Sequence, residues 1–217
     1  MKQIIRWAGL AALTLAVSAS AQAQYSDPDS APDSAPAAQA QPQAQPDQPR
    51  VDSSKDVSVM IKSWPVNTRV TAQHLIDKYG PPDAANDARL VWNDHDPWSQ
   101  IRLFREGVSD NFPTTHKDIV ENTIPYDVPQ DKAGELTKFD PAIDVDRLSG
   151  NMSARSDSEG ANILALNLAD EIVRGKRDVD SARDFMRATL RKSAAGKTSP
   201  YMDHLLFPVA QRAQPQN

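Results

Sequence analysis

The sequence has no cysteine among its 217 residues. That excludes disulfides, thiolate metal sites and cysteine nucleophiles, and with them the acylated cysteine of a bacterial lipoprotein. Glycine is scarce too, at 8 residues, which leaves little from which to build a phosphate-cradling loop. No G-x-S-x-G, glycine-rich P-loop or H-E-x-x-H pattern occurs. Positive charge is in deficit: 24 Lys and Arg stand against 29 Asp and Glu, for a net charge of −5. A phosphate backbone asks for the opposite sign, so no nucleic-acid partner is expected. Beyond the first residues no run is long and apolar enough to span a bilayer, so the mature chain is expected to carry no transmembrane segment.

The first residues, "MKQIIRWAGLAALTLAVSASAQAQ", combine Lys2 and Arg6 with an apolar run from Trp7 to Val17 and an A-x-A exit at Ala21–Ala23. This is the layout of a bacterial secretory signal peptide, and the run is shorter than the roughly 20 residues a membrane span needs. Residues 1–23 are read as that signal, which places the mature protein in the periplasm or outside the cell. Residues 24–56 are rich in Pro, Ala, Gln and Asp with almost nothing large and apolar. Such a segment cannot offset a chain entropy of about 1–2 kcal/mol per residue, and is expected to be a disordered linker. Residues 57–207 have the length of one globular domain, held by its core alone, and 208–217 form a flexible tail.

Within the domain the pattern predicts an α+β fold. A short N-terminal helix and a β-hairpin or small antiparallel sheet pack against a C-terminal antiparallel helical hairpin. "VTAQHLIDKYGPPD" places Ala72, Leu75, Ile76 and Tyr79 at helical spacing and stops at Gly80-Pro81-Pro82. "LVWNDHDPWSQIRLFRE" reads as two strands around a turn. Thr115 and Asp118 have the spacing of a capped helix start, which predicts about two helical turns over "THKDIVEN". Pro113, Pro125 and Pro129 then suggest an extended path across the surface, outside any sheet ladder. "PQDKAGELTKFD" reads as a short helix and "AIDVDRLSG" as an edge strand. "SDSEGANILALNLADEIV" is apolar around most of its circumference, as a central helix is, with Ser156 and Glu159 at capping-box spacing. A second helix follows after Gly175, capped by Asp178.

Two constellations could carry chemistry. His116 and Asp118, joined by His95 from the "NDHDP" turn, could make an acid–base pair or bind a divalent ion. On a helix His116 and Asp118 diverge; on an extended chain they share a face. A zinc site needs a third or fourth ligand that the sequence does not place, so no metal and no cofactor is assigned. The second constellation is Arg155, Asp157 and Asn162 around the start of the central helix, a candidate ligand-binding site. The tryptophans Trp64, Trp92 and Trp98 read as core.

The segments "KYGPPD", "LVWNDHDPW", "NFPTTHKDIVENTIPYDVP", "FDP" and "SARSDSEGANILALNLADEIVRGKRDVDSARDF" together resemble a family of uncharacterised exported bacterial proteins of unknown function. The resemblance covers nearly all of residues 60–190 and implies a single exported domain. It brings no activity, cofactor or catalytic residue. The helix, Gly-Pro and tryptophan hairpin are also similar, over a short stretch, to small cell-envelope assembly proteins. The expectation is therefore a non-catalytic binding or accessory module of the cell envelope, its partner an envelope protein or a small ligand. The alternative is a periplasmic hydrolase, metal-dependent or using His/Asp acid–base chemistry.

Overall fold

The computed structural model describes residues 54–209. The expected signal peptide, nearly all of the expected linker and most of the expected tail lie outside the described residues. The chain opens with α1 (Ser54–Met60), a 3₁₀ turn and α2 (Val66–Tyr79). Four strands follow: β1 (Ala84–Asn86), β2 (Arg89–His95), β3 (Trp98–Asp110) and β4 (His116–Pro125). Then come α3 (Gln130–Phe139), β5 (Ile143–Asp146), β6 (Asn151–Ser156), α4 (Glu159–Val173), α5 (Val179–Ala194) and α6 (Pro200–Asp203). The strands form one six-stranded sheet in the order β1-β2-β3-β4-β6-β5, every neighbouring pair antiparallel.

The α+β class holds, and the layout is larger than the small sheet expected. The main correction is β4. Residues 116–125 are a central strand, paired with β3 on one side and β6 on the other, where helix and then off-ladder chain were expected. The capping spacing of Thr115 and Asp118 is a local signal worth about 1 kcal/mol. It loses to a run containing Ile119, Val120, Thr123 and Ile124, β-branched residues that suit a pleated surface and fill a ladder on both edges. Pro125 is tolerated because it is the last residue of the strand.

The hairpin of β2 and β3 forms as expected, and β5 is an edge strand. α2 ends where Gly80 adopts φ 83° with ψ −170°, a combination open to glycine alone, while its N–H still bonds Ile76. The indole of Trp92 is fully buried and donates to the carbonyl of Gly80 at 2.9 Å, locking the helix end to the sheet. Trp64 and Trp98 are also buried, as core residues should be.

α4 is the central helix: Ala161 through Asp170 are all buried. It packs on the sheet face carrying Val120, Asn122 and Ile124, which alternate along β4 with the outward residues Glu121 and Thr123. Its start differs from the capping box expected. Ser156 belongs to β6, the N-cap is Ser158, and Glu159 turns away to accept from Tyr79 Oη, Trp98 Nε1 and Lys78 Nζ. Asp178 does cap α5, accepting from the Ser181 N–H at 2.8 Å. Among the described residues the other face of the sheet is lined by polar side chains such as Asn93, Gln100, Arg102, Thr123 and Ser153.

Candidate functional site

Because residues 116–125 are a strand, His116 and Asp118 lie on one face, two residues apart. His116 Nε2 stands 3.0 Å from Asp118 Oδ1. Its other nitrogen, Nδ1, is 2.8 Å from the carbonyl of Thr114, which can only accept, so Nδ1 carries the proton. The Asp118 side chain is only 9% exposed, and its Oδ1 has no hydrogen-bond partner despite the close imidazole.

A second acid joins them through an irregularity in the ladder. β3 and β4 pair in one register up to Leu103↔Val120 and resume at Val108↔Asp118, so five steps along β3 match two along β4. Continuing the first register would set Gly107 opposite His116. The bulge sets Asp110 there instead. Gly107 sits inside it, where an added Cβ would lie 2.7 Å from Ile119 Cγ2 and 2.9 Å from Lys117 Cβ. One donor atom each from Asp110, His116 and Asp118 fall within 4.8 Å of one another.

The electrostatics couple these groups. Burial works against protonation of His116, but the Thr114 carbonyl, Asp118, Asp157 and Asp110 outweigh it and raise its pKa above the ordinary 6.5. Burial raises the carboxyl of Asp118, with Asp110 and Asp157 adding to the effect and His116 and Arg155 opposing it. Asp140, at the turn between α3 and β5, is buried more deeply. Desolvation pushes its pKa up to about 6 against the bond it accepts from the Ala142 N–H, and Asp110 and Asp118 push the same way.

Asp110, His116 and Asp140 border a cleft of about 300 Å³, which the buried Asp118 does not itself line. Its polar end is formed by Asp110, His116, Asp140 and Asp157. Its apolar wall comes from Ala161 and Ala165 of α4, Met186 and Leu190 of α5, and Met202 of α6. Ser193, near the end of α5, lies on the rim. Phe112 joins the wall and is held from behind by the guanidinium of Arg183, 3.8 Å from the ring centre. Arg183 also donates to the carbonyls of Lys138 and Phe139, so α5, the end of α3 and the β3–β4 loop are tied at one point.

The other sequence candidates separate. His95 lies at the opposite end of β3, paired in register near Trp98 and packed edge-on against Tyr79. At 3.3 Å rise per residue, allowing for the bulge, that is roughly 30 Å from His116. His95, His116 and Asp118 therefore do not converge. Arg155 borders the cleft, but it is a β6 residue opposite Glu121, not a helix-start residue. Its guanidinium stacks 4.0 Å from the centre of the Phe104 ring and its Nε donates to the Asp118 carbonyl. Asp157 stays at the cleft. Asn162 is fully buried and points at the sheet, donating to Val120 O and Asn122 Oδ1. Its neighbour Asn167 is satisfied by the C-terminal segment, through Tyr201 O, His204 O and the Leu206 N–H.

Sequence reasoning missed Asp110, Asp140 and the α5 wall. A signal existed for Asp110: Asp-Asn-Phe-Pro is turn chemistry, and its Oδ1 does accept from the N–H groups of Asn111 and Phe112. None existed for Asp140, whose burial is a tertiary fact.

Among the described residues no helix is long and apolar enough to cross a membrane. Comparison of the chain with protein-family models, curated proteins and solved structures finds no match.

Proposed function

We infer that the chain is an exported, non-catalytic binding or accessory module of the cell envelope, and that the cleft between the β3–β4 loop, the start of α4 and the face of α5 is its ligand site. The observation that carries this is the two-part lining: an apolar wall of Met and Ala side chains ending in three carboxylate-bearing residues, Asp110, Asp140 and Asp157. A small apolar-lined cavity with a few convergent polar groups is what a ligand pocket requires. The complementary ligand has an apolar body and a head that brings positive charge to the acidic end. Against a hydrolase, the proposed catalytic set is split between two ends of β3. His116 and Asp118 alone supply a pair, and among the described residues no Ser or Thr Oγ bonds the imidazole.

The test is calorimetric titration of the purified protein, held in chelator, with medium-chain alkylamines. Wild type should bind, and Ser193→Trp, which fills the rim from an incompletely buried helix position, should bind at least tenfold more weakly with its unfolding midpoint unchanged. Absence of binding, or equal binding by the filled variant, would sink this role for the cleft.

A further inference from the structure

We propose that the acidic end of the cleft is a divalent-metal site in which Asp110, His116 and Asp118 bind one zinc-class ion; this rests on the cleft being the binding site and names the cation it takes. Three features of the geometry point to it. First, the imidazole is pre-set as a ligand. Nδ1–H is held by the Thr114 carbonyl at 2.8 Å, so in the neutral ring Nε2 is the lone-pair nitrogen. A backbone carbonyl on the far nitrogen is the usual device that orients a metal-binding histidine.

Second, that lone pair faces a carboxylate oxygen at 3.0 Å. In the neutral ring the two atoms repel, and no hydrogen bond is completed between them. A cation shared by both removes the conflict. Ligands about 2.1 Å from a common ion stand about 3.0 Å apart at a right angle and about 3.4 Å apart at the tetrahedral angle, so the observed spacing suits coordination.

Third, Asp118 is buried to nine-tenths and its Oδ1, one of the facing atoms, lacks a hydrogen-bond partner. A buried carboxylate oxygen without a donor is costly, and it points here at the other two ligands. Asp110 is less buried than Asp118, and the three donor atoms already lie within 4.8 Å of one another, a spread that a bound ion would have to draw in. The mixed imidazole and carboxylate set suits zinc better than calcium or magnesium, which prefer oxygen alone. Three protein ligands leave a coordination position open towards the cleft.

Zinc titration of the chelator-stripped protein, by calorimetry and by elemental analysis after gel filtration, tests this. One equivalent should bind, and both His116→Ala and Asp110→Asn should weaken binding at least tenfold. His95→Ala, at the other end of β3, should bind as wild type does. Asp110→Asn keeps an oxygen for the Asn111 and Phe112 N–H groups, so it remains informative if His116→Ala fails to fold. No stoichiometric zinc, or zinc retained by Asp110→Asn, or zinc lost in His95→Ala, overturns the site. Alkylamine binding in chelator with no zinc binding would overturn the metal and leave the cleft standing; zinc binding without alkylamine binding would do the reverse.

Discussion

Asn162 of α4 donates to Asn122 Oδ1 of β4 at 2.8 Å, both side chains fully buried. This contact stitches the central helix to the strand that carries His116 and Asp118. Asn162 Nδ2 also donates to the Val120 carbonyl, while Asn122 Nδ2 and Asn162 Oδ1 have no partner. The pair is therefore only partly satisfied, and its value lies in fixing where α4 sits on β4.

Removing one member strands the other. Asn162→Ala leaves Asn122 Oδ1 and the Val120 carbonyl without their donor and should cost about 2–3 kcal/mol. Asn122→Ala should cost a similar amount. Replacing both by apolar residues of similar size, Asn122→Val with Asn162→Leu, should cost less than those same two changes made singly and summed, because no polar atom is left behind. Urea unfolding of the four proteins gives the coupling, and simple additivity would show that the two amides do not act as a unit.

Asp140 makes stability depend on pH. Its folded pKa is raised from 3.8 to about 6, chiefly by burial. A raised carboxyl favours folding fully only below its unfolded pKa, and that contribution is lost as pH rises from about 4 through 6. The difference is on the order of 3 kcal/mol. Asp140→Asn keeps an acceptor for the Ala142 N–H and removes the buried charge. Measured in chelator, it should be more stable than wild type at pH 7.5, by about 1–3 kcal/mol, and show little gain at pH 4. A gain of the same size at both pH values would locate the effect elsewhere.

Gly107 supports the bulge that sets Asp110 opposite His116. A Cβ there meets Ile119 and Lys117 at 2.7 and 2.9 Å, and the Lys117 contact is with its Cβ, which cannot swing away. Gly107→Ala should cost about 1–3 kcal/mol by overpacking. It should also weaken zinc binding, since the strands must part where Asp110 and His116 meet. Urea unfolding and zinc titration of the one variant check both effects, and a stable variant with unchanged zinc affinity would show that the bulge does not set the site.

Much of the fold was legible where local pattern and tertiary need agree. The α4 run from Ile163 to Val173 is too apolar for anything but a central helix. The stop at Gly80, the β2–β3 turn and the Asp178 cap are short-range chemistry that a sequence displays openly. The stretch 116–125 was not legible, because its capping spacing is local and its ladder partners are distant: Gln100–Leu103 on one side and Asn151–Ser156 on the other.

The candidate site divides along the same line. The chain carries its donors in plain view: a histidine and an aspartate two residues apart, no cysteine to compete with them, and an acidic surround. Their spacing lets them share a face if the chain is extended. Folding of the whole domain makes it extended, sends His95 to the other end of the sheet and stacks Arg155 on Phe104 instead of at a helix start. It also sets the bulge around Gly107 that carries Asp110 to His116. The physical reason is that spacing along a chain sets which side chains can face together. Which of them meet is set by strand register, and register follows from burying the whole of one sheet face under α4.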